Sequence, residues 1–355
     1  MDERIDISAV ISTFNRCEML AKALAALLNQ KAPGVSYEII VVDNNSTDNT
    51  RATIEGFIAK GHANLRYVFE PKQGIAHGRN TGIAMARGDI IAFTDDDVVV
   101  TDNWIAVIKR AFDQNPDVEY IGGKILPDWD EPPPKWLTVD HWWPLALLDR
   151  GDQRFHVNAA NPLCLPTANA SFRRPLFSRI GLFSPQFSAR EDHELFVRLW
   201  QAGGQGLYEP DLVVMATVQP ERLLKSYHHR WNTTTGKFNS LMRLDEIIAP
   251  DGSMVEERRH KVTLFGVPGS MYREFLTESL GWLRQSIFGN DSGKVRHENR
   301  LFYLAGYVSK RYQMKTAQEG HSTFGEIASF LKAVISRVVG GRNGTNNGAP
   351  KRVGD

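Results

Sequence analysis

The stretch Ile90–Ile105 reads IIAFTDDDVVVTDNWI and places three consecutive acidic residues directly after a short apolar run. An apolar run of this length predicts a buried strand. A carboxylate that is taken out of water without a partner costs several kcal/mol. Because the buried strand must therefore end where the acids begin, we expect Asp95, Asp96 and Asp97 at the mouth of a sheet and not inside its core.

The chain before this stretch alternates strand-like apolar runs with segments of helical spacing, which predicts an α/β fold with a mostly parallel central sheet. Ligands bind beyond the carboxyl ends of the strands in such open sheets. Asp43, Glu70 and the three aspartates all follow strand ends, so we expect one ligand-binding rim. The predicted elements are a strand at Ile5–Ser12, a helix at Cys17–Gln30, a strand at Tyr37–Asp43, a helix at 48–60, a strand at Leu65–Glu70, a glycine-rich helix at 74–88, a strand at 89–95 and a helix at Asn103–Asn115.

The pattern changes after residue 125, and it divides the chain into regions. We expect a catalytic domain over residues 1–220, with a nucleotide-binding part at 1–125 and an acceptor part at 126–220. Residues 126–151 are rich in Pro and Trp and predict a long ordered excursion or lid. Residues 221–339 predict a helical C-terminal extension, and the Gly/Asn-rich stretch 340–355 predicts a disordered tail.

Composition and charge exclude several classes of protein. The 355 residues are 42% hydrophobic and 23% charged, with a net charge of +1, so no global field indicates nucleic acid. Cys17 and Cys164 are the two cysteines, and both predict reduced thiols in a cytoplasmic protein. The first residues show no secretory signal, and no run reaches the roughly 18 to 20 apolar residues that a membrane span needs.

The three aspartates predict a cation site. Mg²⁺ and Mn²⁺ prefer carboxylate oxygens, and Mg²⁺ is often held by one or two carboxylates together with substrate phosphates. An exposed acidic turn that caps the next helix is the alternative, and for an isolated run of three aspartates the two interpretations are about equal. Their position at the mouth of a parallel sheet favours the cation.

Five motifs in a fixed order carry a more specific resemblance: ISTFNR, IIVVDNNSTD, GIAHGRNTGI, IIAFTDDDV and REDHELFVRLWQAG. In their order and spacing they resemble family 2 glycosyltransferases with the GT-A fold. The resemblance is strong over roughly Ile7–Gly203 and weaker to about Gly306. It implies an inverting transfer of a sugar from a nucleotide-sugar donor, most commonly a UDP-sugar, with a divalent cation, Mn²⁺ or Mg²⁺. The acceptor would be a glycan or a lipid-linked hydroxyl in cell-surface polysaccharide or glycolipid synthesis.

The resemblance also implies roles for individual residues. Asp95 and Asp97 match the two acids of the family's D-x-D motif, and of these Asp97 is the better match to the metal ligand. Asp95 or Asp96 would contact the ribose or the sugar of the donor. Asp192 matches the general base, which removes the proton of the acceptor hydroxyl; Glu191 is its closest competitor, and helix capping is the structural alternative for both. The other residues implied in nucleotide-sugar binding are Thr13, Asn15, Asp43, Ser46 and Arg79.

The chain departs from the family at two points. Many relatives carry a metal-binding histidine after the last core strand, where this chain has Ala216, or Thr217 if the register slips. His228 and His229 are candidate substitutes, although such a pair more often lies on the surface or in a core. Processive synthases of the family carry Q-x-x-R-W, whereas this chain has Tyr227 at the Gln position, which favours transfer of a single sugar.

The C-terminal region predicts two basic amphipathic helices. Apolar residues recur at helical spacing in residues 270–289 and 324–340, with Arg273 and Arg284 in the first. Such helices can lie on an anionic membrane, which would bring the protein to the cytoplasmic face of an inner membrane. Packing of these helices against the catalytic domain, or against a second copy in a homo-oligomer, fits the pattern equally well. A Trp-rich lid at Trp129–Trp143 could then face a lipid-carried acceptor.

Three other functions compete with sugar transfer. DDDVV also fits the nucleophile motif of haloacid-dehalogenase-type phosphatases, but that motif follows the first strand of its domain, and here three strand–helix units precede it. A sugar nucleotidylyltransferase would need a Gly-rich basic loop after the first strand, which this chain lacks. A non-catalytic nucleotide-sugar or glycan-binding protein is the third alternative, and it requires that Asp192 be dispensable.

Overall fold

A computed structural model describes residues 4–248, 254, 263–319 and 327 of the chain. The chain forms two compact units. The first contains Met1–Glu131 and Leu145–Gln219, and the second contains Pro132–Pro144 and Pro220–Asp355. The predicted tail at 340–355 and most of the predicted helix at 324–340 lie outside the described residues.

The first four strands of the first unit are parallel, as the sequence predicts. β1 pairs with β2 and β4, and β2 pairs with β3. The apolar residues of β1 and β2 are almost fully buried, because helices cover a parallel sheet on both faces. The elements are β1 (Ile7–Thr13), α1 (Cys17–Leu28), β2 (Tyr37–Asp43), α2 (Thr50–Ala59), β3 (Leu65–Phe69), α3 (Ile75–Met85) and β4 (Ile90–Asp95).

Two glycines bring α3 close to β1. A Cβ on Gly78 would lie 2.0 Å from the Ser12 hydroxyl, and one on Gly82 would lie 2.3 Å from a methyl of Val10. Larger residues at these positions would push the helix off the strand. The glycine-rich pattern of this helix therefore reflects close packing on the sheet.

The second half of the sheet is mixed. The strand order is β3-β2-β1-β4-β8-β6-β9-β5, with β7 paired to β9. β8 runs antiparallel to both β4 and β6, whereas β6 and β9 are parallel. These elements are β5 (Val98–Val100), α4 (Trp104–Gln114), β6 (Tyr120–Trp129), β7 (Phe155–Val157), β8 (Asn169–Arg173), α5 (Leu176–Ile180), α6 (Glu191–Gln201) and β9 (Gly206–Val218).

Asp102 precedes α4 but does not cap it. The N-cap of α4 is Asn103, without a side-chain hydrogen bond. Asp102 instead forms an ion pair with Lys31 at 2.6 Å. The side chain of Asp48 accepts hydrogen bonds from the backbone of Thr50 at the start of α2 and of Cys17 at the start of α1.

The second unit is mainly helical. A short hairpin leads into two long helices joined by two residues. α7 and α10 approach closely, because a Cβ on Gly236 would lie 2.0 Å from the Tyr303 carbonyl and one on Gly306 would lie 2.1 Å from the Thr233 carbonyl. The elements are α7 (Lys225–Met242), α8 (Leu244–Ile247), β10 (Thr263–Leu264), β11 (Val267–Pro268), α9 (Gly269–Phe288) and α10 (Asp291–Glu319).

The Pro- and Trp-rich excursion contributes Pro132–Pro144 to the second unit. The ring of Trp136 packs edge-on against the buried His228 ring of α7, with 4.9 Å between ring centroids. The Tyr227 hydroxyl donates a hydrogen bond to the Pro144 carbonyl, and a ring nitrogen of His141 lies 3.2 Å from the Ser292 carbonyl. This part of the excursion is thus an ordered segment held by α7 and α10.

None of the helices in the described part of the chain is both long and apolar enough to cross a bilayer.

Candidate functional site

The predicted rim forms where parallel strands end side by side. Thr13 at the end of β1 aligns with Asp43 at the end of β2, and Ser12 aligns with Asp95 at the end of β4. The carboxyl ends of parallel strands meet at one edge of the sheet. The register therefore places Thr13, Asp43 and Asp95 on one edge, which the sequence predicts for the two aspartates.

Asp96 is directed into the protein and held from two sides. It is 4% exposed; its carboxylate accepts a hydrogen bond of 2.7 Å from the Thr13 hydroxyl and one of 3.0 Å from the Arg16 guanidinium. Burial raises the pKa of Asp96 to about 6, while Arg16 acts in the opposite direction and Asp97 adds to the rise. The structure thus gives both Thr13 and Asp96 a protein partner at the base of the rim.

Arg16 ties two of the three aspartates together. The same guanidinium nitrogen lies 3.0 Å from Asp96 and 3.2 Å from Asp97. Burial opposes its charge, but the carboxylates outweigh this and raise the pKa of Arg16. The Arg16 guanidinium thus offsets the repulsion between the neighbouring carboxylates of Asp96 and Asp97. This explains how three acids can follow a buried strand.

Asp95 is the most accessible of the three, with 33% of its side chain exposed against 6% for Asp96 and 9% for Asp97. Its carboxylate accepts a hydrogen bond of 3.2 Å from Arg79. Asp95 is therefore the member of the triplet that a ligand on this rim can reach most directly.

Arg79 is buried and links the rim to the start of α6. Its guanidinium donates one hydrogen bond to Asp95 and a short one to Glu191, and it lies 5.6 Å from the ring centre of Phe183. Burial would lower the pKa of Arg79, but Glu191, Asp95 and Asp192 outweigh it and raise that pKa. Burial raises the pKa of Glu191, and Arg79 opposes the rise. We treat the pair as ionised, because an arginine keeps its proton in proteins.

Asp192, the predicted base, is the second residue of α6. It is partly exposed, and its carboxylate accepts a hydrogen bond of 2.7 Å from the backbone of His193. The charge of Arg79 acts on Asp192 as well as on Glu191 and Asp95. Glu191, the alternative base that the sequence also allows, is 5% exposed and forms an ion pair with Arg79. Asp192 is thus the more accessible of the two acids.

Three predicted nucleotide contacts, Asn15, Asp43 and Ser46, form one hydrogen-bond network between the loops after β1 and β2. Asn15 accepts from the Thr47 backbone at 2.7 Å, and its own backbone donates to the Ser46 hydroxyl at 3.0 Å. Asp43 accepts from the Ser46 backbone at 2.9 Å and from the Tyr67 hydroxyl at 3.0 Å. Burial, and then Asp43, raise the pKa of Tyr67 to about 12. Asn15, Asp43 and Ser46 are therefore brought together; Thr13 joins them through the aligned strand ends.

The position where relatives carry a histidine lies next to the aspartates. Ala216 pairs with Val98, and the Thr217 backbone donates a hydrogen bond of 2.9 Å to the Asp97 carbonyl. The Ala216 side chain is a methyl group, which cannot bind a metal, and the alternative position, Thr217, carries a hydroxyl. His228 and His229 have other partners in the second unit, the Arg222 carbonyl and Glu298 respectively.

Within the part of the chain that the structure describes, no three His, Cys, Asp or Glu side chains are grouped so that they could hold a metal ion by themselves. The carboxylates that would hold a cation at the rim are those of Asp95, which also pairs with Arg79, and of Asp97, which also pairs with Arg16. Such a set suits a hard cation that takes its remaining ligands from water and from the phosphates of a substrate. The donor set therefore fits a Mg²⁺ or Mn²⁺ ion that binds together with a diphosphate.

Sequence reasoning missed Arg16 as the partner of Asp96 and Asp97, and it missed the pairing of Arg79 with Glu191. Arg16 lies in the motif ISTFNR and Arg79 in GIAHGRNTGI, but their acidic partners are 16 to 112 residues away in the sequence. The only available signal was charge: three adjacent acids at a buried strand end require cations nearby.

The family model for glycosyl transferase family 2 matches residues 8–181, which span the strand-end rim and the aspartate triplet. The chain contains a family 2 glycosyltransferase domain.

One relative and two solved structures place this domain among known proteins. The glucosyl-dolichyl phosphate glucuronosyltransferase of Haloferax volcanii is 24% identical over 208 residues, which are 56% of this chain and 64% of the relative, so the chain aligns with less than two thirds of that protein. The mannosyltransferase PcManGT of Pyrobaculum calidifontis, solved with GDP-Man and Mn²⁺, matches with a TM-score of 0.52 and 17% identity over 94% of this chain and 81% of its own. Residues 1–349 of TarS of S. aureus, solved with UDP, match with a TM-score of 0.50 and 16% identity over 88% and 92%. The two structures establish the likeness of fold, which confirms the predicted GT-A architecture.

Proposed function

We propose that this chain is a glycosyltransferase that moves a single sugar from a nucleoside-diphosphate sugar to a hydroxyl acceptor. One observation carries the proposal: Arg79 contacts Asp95 at the strand-end rim and Glu191 at the start of α6, where Asp192 follows. A donor-binding edge and a partly exposed carboxylate thus lie on either side of one buried cation. Sugar transfer needs this combination of a site for the diphosphate and a base for the acceptor.

The donor side would use the rim. Asp95 and Asp97 would hold Mn²⁺ or Mg²⁺ together with the diphosphate; when bound, the cation offsets the charge that develops on the departing diphosphate. Mn²⁺ and GDP-Man in the mannosyltransferase, and UDP in TarS, support a nucleotide-sugar donor with a divalent cation. We propose UDP as the nucleotide. Asp43 would accept a hydrogen bond from its base, with Thr13, Asn15 and Ser46 shaping that pocket.

The acceptor side would use Asp192. Its carboxylate would take the proton of the acceptor hydroxyl as that oxygen attacks the anomeric carbon. Attack from the face opposite the diphosphate inverts the configuration at that carbon. Arg79 would keep the start of α6 in place relative to Asp95, so its role is to position the machinery and not to bind phosphate.

The acceptor would be a glycan or a lipid-linked hydroxyl in the synthesis of a surface polysaccharide or glycolipid. The relative whose name includes a dolichyl phosphate supports a lipid-linked acceptor. We place this reaction on the cytoplasmic side of the cell, where nucleotide sugars are the donors.

The test compares two carboxylate variants in two assays. We expect both Asp97→Ala and Asp192→Asn to abolish sugar transfer from the preferred nucleotide sugar. For Asp192→Asn, which removes the base, kcat should fall at least about a hundredfold. Only Asp97→Ala should weaken Mn²⁺-dependent binding of the nucleoside diphosphate, as measured by calorimetry. Asp102→Asn, on the surface between β5 and α4, removes a charge without touching the rim and serves as the control.

Two results would contradict the proposal. Full transfer by Asp192→Asn would leave a nucleotide-sugar-binding protein, or another base, as the better account. An equal loss of nucleotide binding in both variants would show that Asp192 belongs to the donor site.

A further inference from the structure

The helix α9 packs against α10 through a polar face. Glu278 lies 2.6 Å from the His297 ring, and Glu274 forms an ion pair of 2.5 Å with Arg300. A Cβ on Gly281 would lie 2.4 Å from the His297 ring, so this turn of α9 is in direct contact with α10. The spacing of these positions along the helix is that of one face. The inward side of α9 is therefore largely polar and already paired.

The opposite face of α9 is apolar and exposed. Its residues recur at intervals of four, three and four, which is the spacing of one helix face. The exposed fractions are 64% at Leu276, 67% at Leu280, 49% at Leu283 and 61% at Ile287. Phe275 and Phe288 extend the same surface, at 43% and 84%. An ordinary surface helix buries its apolar face and exposes its polar one, so α9 is inverted.

The charge on this outward face has one sign. Arg273 and Arg284 are the exposed charged residues of α9, whereas Glu274 and Glu278 are turned towards α10. A surface with apolar and cationic side chains and no carboxylate complements an apolar partner that carries negative charge at its border. Two copies of this face would instead bring arginines together with no acid to pair them.

An apolar cavity continues this surface at the start of α9. It has a volume of about 480 Å³ and lies between α9 and α10, and its walls include Met271, Phe275, Leu304 and Tyr312. Phe275 belongs both to the wall of this cavity and to the outward face. The apolar region is therefore larger than one row of side chains.

We propose that the outward face of α9, defined by Phe275, Leu276, Leu280, Leu283, Ile287 and Phe288, docks on an anionic lipid bilayer. The apolar side chains would enter the boundary between headgroups and acyl chains, while Arg273 and Arg284 would contact anionic headgroups. The helix would lie in the plane of the membrane. This surface belongs to the second unit, and binding to lipid does not require that the first unit transfer sugar.

The test measures binding of the full chain to vesicles of phosphatidylcholine with and without phosphatidylglycerol, by flotation at low salt. We expect the parent to bind the anionic vesicles and to dissociate as salt is added. The double variant Leu280→Glu/Leu283→Glu should lower the partition coefficient at least about tenfold, since it removes apolar burial and adds negative charge. Arg273→Gln/Arg284→Gln should lower it about 25-fold on anionic vesicles only, about fivefold for each arginine.

Matched controls use exposed residues of the first unit. Lys60→Gln/Arg87→Gln removes the same charge, and Ile58→Glu/Met85→Glu makes the same kind of apolar-to-acidic change. Neither should alter binding, and thermal unfolding should show that all variants remain folded. Failure of the parent to bind anionic vesicles would overturn the proposal. Sedimentation that shows a dimer in the parent and a monomer in Leu280→Glu/Leu283→Glu, without a change in vesicle binding, would assign the face to a second copy instead.

Discussion

The pairing of Arg79 with Glu191 is the residue-scale feature on which the site depends. A buried ion pair contributes little net stability, but removing one partner leaves an unpaired buried charge. Glu191 is 5% exposed and Arg79 4% exposed, so neither can turn to water without rearrangement of its surroundings. The pair therefore fixes the start of α6, and Asp192 with it, relative to Asp95.

We predict that Glu191→Ala lowers the free energy of unfolding by about 3–5 kcal/mol, because Arg79 then loses its buried ion-pair partner and is left with the hydrogen bond to Asp95 and the charge of Asp192. The double variant Arg79→Met/Glu191→Leu should recover most of this stability, since it removes both charges and fills the space. It should not recover sugar transfer. Urea unfolding and initial transfer rates measure the two effects, and a Glu191→Ala protein as stable as the parent would refute the assigned contact.

The position of the acids at this scale could be predicted from the sequence, whereas their partners could not. Asp95 to Asp97 follow an apolar strand, and that local pattern is enough to place them at a sheet edge. Arg16 and Arg79 find their carboxylates through the register of β1 and β4 and the packing of α3 on the sheet. Neither follows from spacing along the chain, so the sequence implies a role for Arg79 in nucleotide-sugar binding but does not indicate its pairing with Glu191.

At the scale of elements, glycines determine how closely two long helices of the second unit approach. A Cβ on Gly306 of α10 would lie 2.1 Å from the Thr233 carbonyl of α7, which is a backbone atom and cannot turn aside. Gly56 of α2 is also helical, but its Cβ would meet open space. The two positions separate the intrinsic cost of glycine in a helix from its role in packing.

We predict opposite effects from the same substitution at these two positions. Gly306→Ala should lower the free energy of unfolding by about 1–3 kcal/mol, because the methyl group forces α7 and α10 apart. Gly56→Ala should raise it by about 1 kcal/mol through helix propensity alone. Urea unfolding of both variants beside the parent checks the pair, and stabilisation by Gly306→Ala would show that the helices are not in contact there.

The segment Pro132–Pro144 is held by a histidine that must stay neutral. Burial lowers the pKa of His228 to about 4; the hydrogen bond to the Arg222 carbonyl opposes this, and His141 and His229 add to it. Between about pH 6.5 and pH 4 the unfolded chain therefore binds a proton that the folded chain does not. This contribution to stability is therefore fully present above about pH 6.5, is lost as the pH falls from 6.5 to 4, and changes no further below about pH 4.

We predict that His228 accounts for up to about 3 kcal/mol of the stability lost between pH 7 and pH 4. His228→Phe keeps a ring against Trp136 but cannot be protonated, so the slope of its unfolding free energy against pH should be smaller than that of the parent. The carboxylates of the chain affect both proteins equally, and the difference between the two curves isolates His228. Parallel curves from pH 7 to pH 4 would show that His228 is protonated at the same pH in both states.

At the scale of the whole molecule, the strand–helix alternation of the first 115 residues was enough to predict the α/β architecture. The division into units was harder, because Pro132–Pro144 leaves the first unit and joins helices that begin at Lys225. Periodicity along the chain describes single elements. It does not indicate that a loop packs on a helix about 90 residues later, as Trp136 does on His228.

The two units each have their own core, so a ligand of the rim should stabilise the first unit selectively. Ile39, Ile40 and Phe93 belong to the core of the first unit, whereas Val267, Leu304 and Tyr307 form a separate core in the second.

We predict that UDP with Mn²⁺ at about 100 times the dissociation constant adds about 2.7 kcal/mol to the unfolding free energy of the first unit. For a unit of this size, that raises its Tm by roughly 5–10 °C. Calorimetric scans with UDP, GDP and dTDP, each with Mn²⁺ or with EDTA, would rank the nucleotides. The same scan of Asp97→Ala should lose the Mn²⁺-dependent part of the shift, while Asp192→Asn keeps it, because Asp97 is assigned to the cation and Asp192 is not. A nucleotide-dependent shift confined to the second unit would place the nucleotide away from the aspartates, since no residue of the strand-end rim belongs to that unit.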